Sequence, residues 1–381
     1  MLVIAPLLPA PPGGVQAEFG WGVFSYWDSL HYQQIATTGY DIQKGSFGDN
    51  VAFFPFFPLA IRALMNLGLP FEVAGTLLSN LAFLGALIVL FTWVAKRHGI
   101  SAARWATAVL AWCPFSLFGT VIYTEGLFLL WSTAALYTFD NKQYFWAALW
   151  GALATATRAP GLALIPAFLM IAFREKRGPI AYISSLLTGT GVLLYSVYCW
   201  LQFGEPLAFI LAQKPWQPEQ AFWGQGWLKM LSQIAIGWGN WHFPLFCLIC
   251  AIGYCLWRWR GKLGRVKTDY GFYTLFVILW ILAGDPFINI VMVGGGIFLL
   301  WHSRKIMGSL PWLYGLFSMM IILSPGRTIS AERYVYGIVS VAIALGFLLQ
   351  KHPRWRYPLW GFSSLLLALF AIRFAQHLWV A

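Results

Sequence analysis

Charge is what this sequence has least of. Only 10% of its 381 residues are charged, and just 13 are acidic, whereas a soluble globular chain carries roughly 25% charged residues. A soluble multidomain protein is thereby excluded. Cysteine is also sparse: there are five, and three of them (Cys247, Cys250 and Cys255) lie in one apolar stretch without His or acidic neighbours. A structural zinc site gathers about four ligands in a polar loop, so these thiols read as packing residues. No internal repeat or inverted symmetry is visible, which weighs against a transporter. The formal net charge of +12, from 25 Lys and Arg against 13 Asp and Glu, implies no nucleic-acid partner. The basic residues fall in short clusters between apolar runs, as membrane topology demands.

Apolar and aromatic side chains are abundant instead, at 59% and 18%. A helix needs roughly 20 apolar residues to cross a bilayer, and the chain divides into such runs. Basic connectors separate them at Lys96-Arg97-His98, Arg174 to Arg177, Arg258 to Lys267, Arg304-Lys305 and Lys351 to Arg356. With every connector cytoplasmic, the pattern predicts an all-α polytopic membrane protein of about twelve transmembrane helices. Among these crossings are a continuous helix over Trp105 to Tyr123 and an out-and-back pair broken at Arg158-Ala159-Pro160. Residues 1–70 form an N-terminal tail and a first external loop with short interfacial helices, and 71–381 form the transmembrane helical domain. Met1 to Ala10 is apolar but too short to span, and it lacks the basic residues of a cleavable signal peptide.

The same parity places Trp27 to Tyr40, Tyr123-Thr124-Glu125, Arg158, the Lys214 loop and Arg333 on one non-cytoplasmic face, periplasmic or lumenal. The stretch from Ser25 to Tyr40 reads as a short interfacial helix ended at Gly39, with Asp28, His31 and Tyr32 on neighbouring positions. A carboxylate beside an imidazole suits acid/base work, or Asp28 simply caps the helix. Phe53-Phe54-Pro55-Phe56-Phe57-Pro58 cannot begin as a regular helix and belongs at headgroup level, where a shallow groove for a lipid chain would fit. Glu125 sits at a hairpin, either functional or merely interfacial. Arg158 breaks the positive-inside bias and wants an anionic partner, a phosphate or Glu125. Arg333 stands at a helix start suited to phosphate, with Arg327 close by, although Glu332 is equally placed to pair with it. Gln213, Lys214, Trp216, Glu219, Trp223 and Trp227 form either a sugar-stacking lid or an interfacial aromatic belt.

Three of these segments together resemble the GPI mannosyltransferase II (PIG-V-like) family of GT-C glycosyltransferases. They are Trp27-Asp28-Ser29 through His31 with Ile35-Ala36 and Gly39-Tyr40; Phe53-Phe54-Pro55 with Phe57-Pro58-Leu59; and Tyr123 to Leu127 with Arg158 and Gly161. The resemblance covers Trp27 to about Phe168 and implies a GT-C fold. It further implies a polyprenyl-phosphate sugar donor, most simply carrying mannose, a lipid or glycan acceptor, and inversion at the sugar carbon. The catalytic carboxylate of the first external loop then maps onto Asp28, with His31 beside it. Arg333, Arg158 and Lys214 are the candidates for donor phosphate. Glu125, Trp27, Tyr32, Gln213 and Trp216 are those for sugar or acceptor. No cofactor or metal is required, and a lipid or sugar transporter without transferase activity is the competing function.

Overall fold

The computed structural model describes residues 1–43, 46–214, 222–237, 239–326 and 328–380. Helix α1 (Asp28–Thr37) follows a 3₁₀ turn at Trp21–Phe24, and a two-stranded antiparallel ribbon, β1 (Ile42–Gln43) with β2 (Ser46–Phe47), links it toward α2 (Phe56–Met65). The aromatic run delays helix formation as expected: the chain stays irregular to Pro55, and Pro58 is tolerated because it falls in the first turn of α2. After Pro70, α3 (Phe71–His98) runs 28 residues, roughly 42 Å at 1.5 Å per residue. Lys96, Arg97 and His98 occupy its last turn, where the helix dipole favours cations.

The helix expected over Trp105 to Tyr123 is divided. Pro114 supplies no amide hydrogen and forces Cys113 out of the helical region. Accordingly α4 (Ile100–Trp112) stops, and the chain continues as a 3₁₀ turn over Pro114–Gly119. Beyond it come α5 (Glu125–Asp140) and α6 (Tyr144–Thr157), a 3₁₀ turn at Ala159–Ala163 around Pro160, α7 (Leu164–Arg174), and α8 (Pro179–Leu187) bent by 41° onto α9 (Thr190–Phe203). The remainder is α10 (Ala208–Leu211), α11 (Gln225–Ala235), α12 (His242–Arg258), α13 (Arg260–Ala283), α14 (Asp285–Met307), α15 (Ser309–Leu323), α16 (Ala331–Tyr336), α17 (Val339–Lys351) and α18 (Pro353–Ala375).

Among the described residues, four helices (α3, α13, α14 and α18) are long and apolar enough to cross a membrane, with the bent α8–α9 pair a fifth. The twelve crossings expected from hydropathy are not reached on that measure, because Pro and Gly breaks cut several apolar runs into pieces too short to span singly. The chain is nonetheless an integral membrane protein of several apolar helices. Leu186 and, on α9, Leu193, Leu194, Trp200 and Leu201 are exposed on the bare protein, an apolar surface that only a lipid or partner environment tolerates. Cys247 and Cys250 face outward on α12 as well, so the packing role expected for them is corrected.

One large apolar core joins α3, α4, α5, α7 and α14 to α18. A second is made by Tyr32 and Ala36 of α1, Phe57 and Ile61 of α2, and Phe71 and Ala74 of α3, so the first-loop helices dock directly on the bundle. At one end of the molecule Arg97 pairs with Asp140 at 3.0 Å, and Lys96 donates to Asn141 at 2.6 Å. Those contacts tie the Lys96-Arg97 connector to the end of α5. The opposite end carries the site.

Candidate active site

Four charged side chains from four separate segments meet there. Asp28 begins α1, but the capping position belongs to Trp27 and no side chain caps this helix, so the capping reading of Asp28 is set aside. Its Oδ2 instead lies 3.0 Å from Nη1 of Arg333 on α16. Nε of the same guanidinium is 3.2 Å from Oε1 of Glu125, the first residue of α5. That oxygen also contacts Nη1 of Arg158, the residue closing α6. The charges therefore alternate along a chain, Asp28, Arg333, Glu125, Arg158, two of each sign. Isolated buried ions cost several kcal/mol each, so alternation is what lets them lie this deep.

The local sequence explains how Glu125 reaches this point. A Cβ on Gly126 would come within 2.7 Å of the Ser79 carbonyl and 2.8 Å of the Gly119 carbonyl. Only glycine lets the start of α5 press against α3 and the Pro114–Gly119 turn. Glu125 ends up 1% exposed, whereas the Asp28 side chain keeps 27%. Asp28 is the open end of the chain. Oε1 of Glu125, Nη1 of Arg158 and Nε of Arg333 make charge contacts rather than aligned hydrogen bonds, and Oε2 of Glu125 has no hydrogen-bond partner among the described residues.

Aromatic rings carry the guanidiniums. Arg333 lies 5.2 Å from the ring centres of both Phe118 and Tyr123, and Arg158 lies 4.9 Å from that of Tyr334. Such cation–π contacts are worth about 0.5–2 kcal/mol each. The Tyr123 hydroxyl accepts from the backbone N–H of Asp28 at 3.2 Å. Tyr123 thus holds both partners of the Asp28–Arg333 pair, a role that sequence reasoning did not assign although the residue stood in a quoted motif.

The other candidates divide. His31 stacks on Phe53 with ring centres 4.5 Å apart. Burial pulls its imidazole below the usual histidine value, opposed by Asp28, Asp49 and Asp41. It lies in the electrostatic reach of Asp28, and it is neutral at neutral pH. Tyr32 is a packing residue, 5.2 and 5.0 Å from the rings of Phe53 and Phe57, with its hydroxyl directed to Thr124. Trp27 packs edge-on to Trp379. Glu332 does not pair with its neighbour: Arg333 turns to Asp28 and Glu125, and Oε2 of Glu332 is buried without a hydrogen-bond partner among the described residues. Gln213 donates to the Phe209 carbonyl at 3.2 Å, in a segment packed on the first loop. Lys214 is exposed, and no contact joins it to the four charges. Trp216, Glu219 and Arg327 lie outside the described residues. Trp223 donates to the Leu323 carbonyl.

An apolar cavity of about 270 Å³ opens beside α16. Val335 and Tyr336 of that helix line one end, and Trp105 and Arg356 the other. Trp105 and Trp112, both in the lining, are separated by roughly 10 Å along α4. The helix that presents Arg333 to the charges therefore also walls a lipid-like compartment. Among the described residues, no three His, Cys, Asp or Glu side chains converge as metal ligands.

A family profile described as Mannosyltransferase (PIG-V) matches residues 6–185, a span that holds Asp28, Glu125 and Arg158. The human GPI alpha-1,6-mannosyltransferase 2 is 24% identical over 348 residues, covering 72% of this chain and 69% of that protein. GPI mannosyltransferase 2 of Cryptococcus neoformans var. neoformans serotype D is 27% identical over 169 residues, covering 41% and 36%. The Rattus norvegicus GPI alpha-1,6-mannosyltransferase 2 is 30% identical over 166 residues, covering 40% and 33%; the chain thus spans only about a third of these last two. Among solved structures, the Archaeoglobus fulgidus oligosaccharyltransferase in complex with Zn and sulfate aligns at 15% identity and a TM-score of 0.46, over 98% of this chain and 51% of that one. That likeness is too loose to build on.

The fold and the site define an integral membrane protein of helices that brings two carboxylates and two guanidiniums together at one end. Over residues 6–185 its likeness is to the mannosyltransferases of the PIG-V profile.

Proposed function

We propose that the protein transfers a hexose, mannose foremost, from a polyprenyl-phosphate donor to a hydroxyl of a lipid or glycan acceptor. The reaction takes place on the non-cytoplasmic face, periplasmic or lumenal, with inversion at the sugar carbon. The observation that carries this reading is the Arg333 guanidinium, set between Asp28 and Glu125 on the same short helix that walls the apolar cavity. A lipid-phosphate donor has the matching parts: an isoprenoid tail for the cavity and a phosphate for the arginines.

The chemistry needs only one base. A phosphate leaves without being protonated, so the paired carboxylates of glycoside hydrolysis are unnecessary. Asp28, the open end of the chain of charges, takes the proton from the acceptor hydroxyl as it attacks. Arg333 swings its charge from Asp28 to the departing phosphate, which frees the carboxylate and stabilises the leaving group in one movement. Glu125 keeps Arg333 and Arg158 oriented, and neutral His31 orients the acceptor. In this reading Lys214 is available to phosphate and the Gln213 amide to sugar hydroxyls. In this reading the shorter apolar helices complete the crossings of a GT-C arrangement of about twelve spans.

The test is Asp28→Asn, which keeps shape and removes the base. Purified protein with labelled polyprenyl-phosphate mannose and a cell lipid extract should lose roughly 10²- to 10⁴-fold in transfer rate. A folded Asp28→Asn protein working at the wild-type rate overturns the assignment.

A further inference from the structure

Trp27 has φ 55° and ψ −118°, a backbone conformation that costs a bulky L residue about 1–3 kcal/mol and persists only where the surroundings impose it. It is also the residue that delivers the chain to Asp28. What imposes it lies at the far end of the sequence. The Tyr26 ring stacks face to face on His377, with centres 3.6 Å apart and planes at 8°. The Trp27 indole meets Trp379 edge-on at 4.9 Å and 90°.

The segment carrying these two rings is itself tied down. The Val15 N–H donates to the Gln376 carbonyl at 3.0 Å, and the Gln376 amide donates to the Pro9 carbonyl at 3.1 Å. Arg373 donates to the Trp379 carbonyl at 2.9 Å, while the Leu378 N–H donates to the Arg373 carbonyl at 2.9 Å. The end of α18 supports the other side of Asp28 as well. Phe374 sits 5.9 Å, edge-on, from Tyr123, whose hydroxyl accepts from the Asp28 N–H and whose ring faces Arg333. Both backbone anchors of Asp28, the strained Trp27 and the Tyr123 hydroxyl, lean on residues 374–379.

We infer that His377 and Trp379 are positioning residues for the reaction: together they hold Tyr26 and Trp27 so that the Asp28 carboxylate faces the acceptor hydroxyl. The inference rests on the reading of Asp28 as the base. Neither ring touches the four charges. Their effect passes through the Trp27 backbone.

Trp379 is 46% exposed, so removing its ring empties no core. In the full-length protein, Trp379→Ala should lower kcat about 10- to 100-fold, the scale of a reacting group displaced by roughly 1 Å, with KM for polyprenyl-phosphate mannose unchanged. Trp379→Phe, which keeps an edge for the Trp27 indole, should restore most of the rate. His377→Phe should likewise outperform His377→Ala, because the stack on Tyr26 survives. In an Asp28→Asn background, Trp379→Ala should cost nothing further, since no base remains to be positioned. Wild-type kcat in Trp379→Ala, failure of Trp379→Phe to rescue, or an equal further loss in the Asp28→Asn background overturns the inference. If Asp28→Asn alone runs at the wild-type rate, the reading of Asp28 falls and takes this inference with it. If Asp28→Asn is inactive and Trp379→Ala is normal, only the positioning role fails.

Discussion

Glu125 is the side chain on which the charge balance of the site depends. Its Oε1 contacts Arg158 and Arg333 together, and the residue is 1% exposed. Glu125→Gln keeps the volume and an acceptor oxygen but changes the cluster from net zero to one excess positive charge. Arg333 retains Asp28 at 3.0 Å. Among the described residues Arg158 retains the rings of Tyr334 at 4.9 Å and Phe128 at 6.0 Å, contacts worth about 0.5–2 kcal/mol each. That does not offset the loss, because removing one partner of a buried pair typically costs about 3–5 kcal/mol. Equilibrium unfolding in mixed micelles of rising SDS fraction measures it. Arg158→Gln alone leaves one excess negative charge, whereas the double variant Glu125→Gln/Arg158→Gln returns the cluster to neutrality. The double variant should therefore lose less than the sum of the two singles, by about 2 kcal/mol, within the usual range of coupled neighbours. Strict additivity, or a Glu125→Gln cost under about 1 kcal/mol, refutes the alternating-charge account.

Two further outcomes follow from the surroundings of the site. Gly295 lines the apolar cavity, and a Cβ there meets nothing within 4 Å, so Gly295→Leu is expected to narrow the cavity; it should raise KM for a long-chain polyprenyl donor well above its effect on a short-chain one, and equal effects would remove the cavity from donor binding. Burial pushes the Glu332 carboxyl up to about 7, with the Asp285 charge adding to the rise and Arg333 opposing it. In the unfolded chain this group ionises near the ordinary carboxylate range, so between there and about pH 7 the folded state holds more protons and stability falls as pH rises. The penalty is complete above that range. Glu332→Gln should flatten this slope and stabilise the protein by about 2–3 kcal/mol at pH 8 relative to pH 5, and an unaltered pH profile would show that Glu332 is not its source.

Periodic features of the chain were legible before folding. Helix α1 ends next to Gly39 as anticipated, Phe53 to Pro55 hold off helix formation until Phe56, and the break at Arg158-Ala159-Pro160 falls where proline chemistry puts it. These depend on neighbours within a few residues. The helix drawn through Trp105 to Tyr123 failed because hydropathy averaged over Pro114, whose effect is local and absolute. Partner choice was legible in part: Arg158 meets Glu125, as one of its two expected partners, whereas the local partner offered to Arg333 is not the one it takes. Glu332 is adjacent to Arg333 in sequence, yet the guanidinium selects Asp28 and Glu125, because consecutive residues on a helix point about 100° apart.

By itself, the sequence determined the environment and the inventory. Scarce charge and abundant apolar runs make a membrane protein, basic connectors divide its two ends, and a handful of acidic and arginine residues outside those connectors are the chemical raw material. Tertiary structure alone decided most of the wiring of that material: Asp28 to Arg333, Arg333 to the same Glu125 that Arg158 takes, and the strained Trp27 to a ring near the other end of the chain. A buried charge must find its opposite wherever packing puts it, and packing is set by helices meeting in space rather than by distance along the chain.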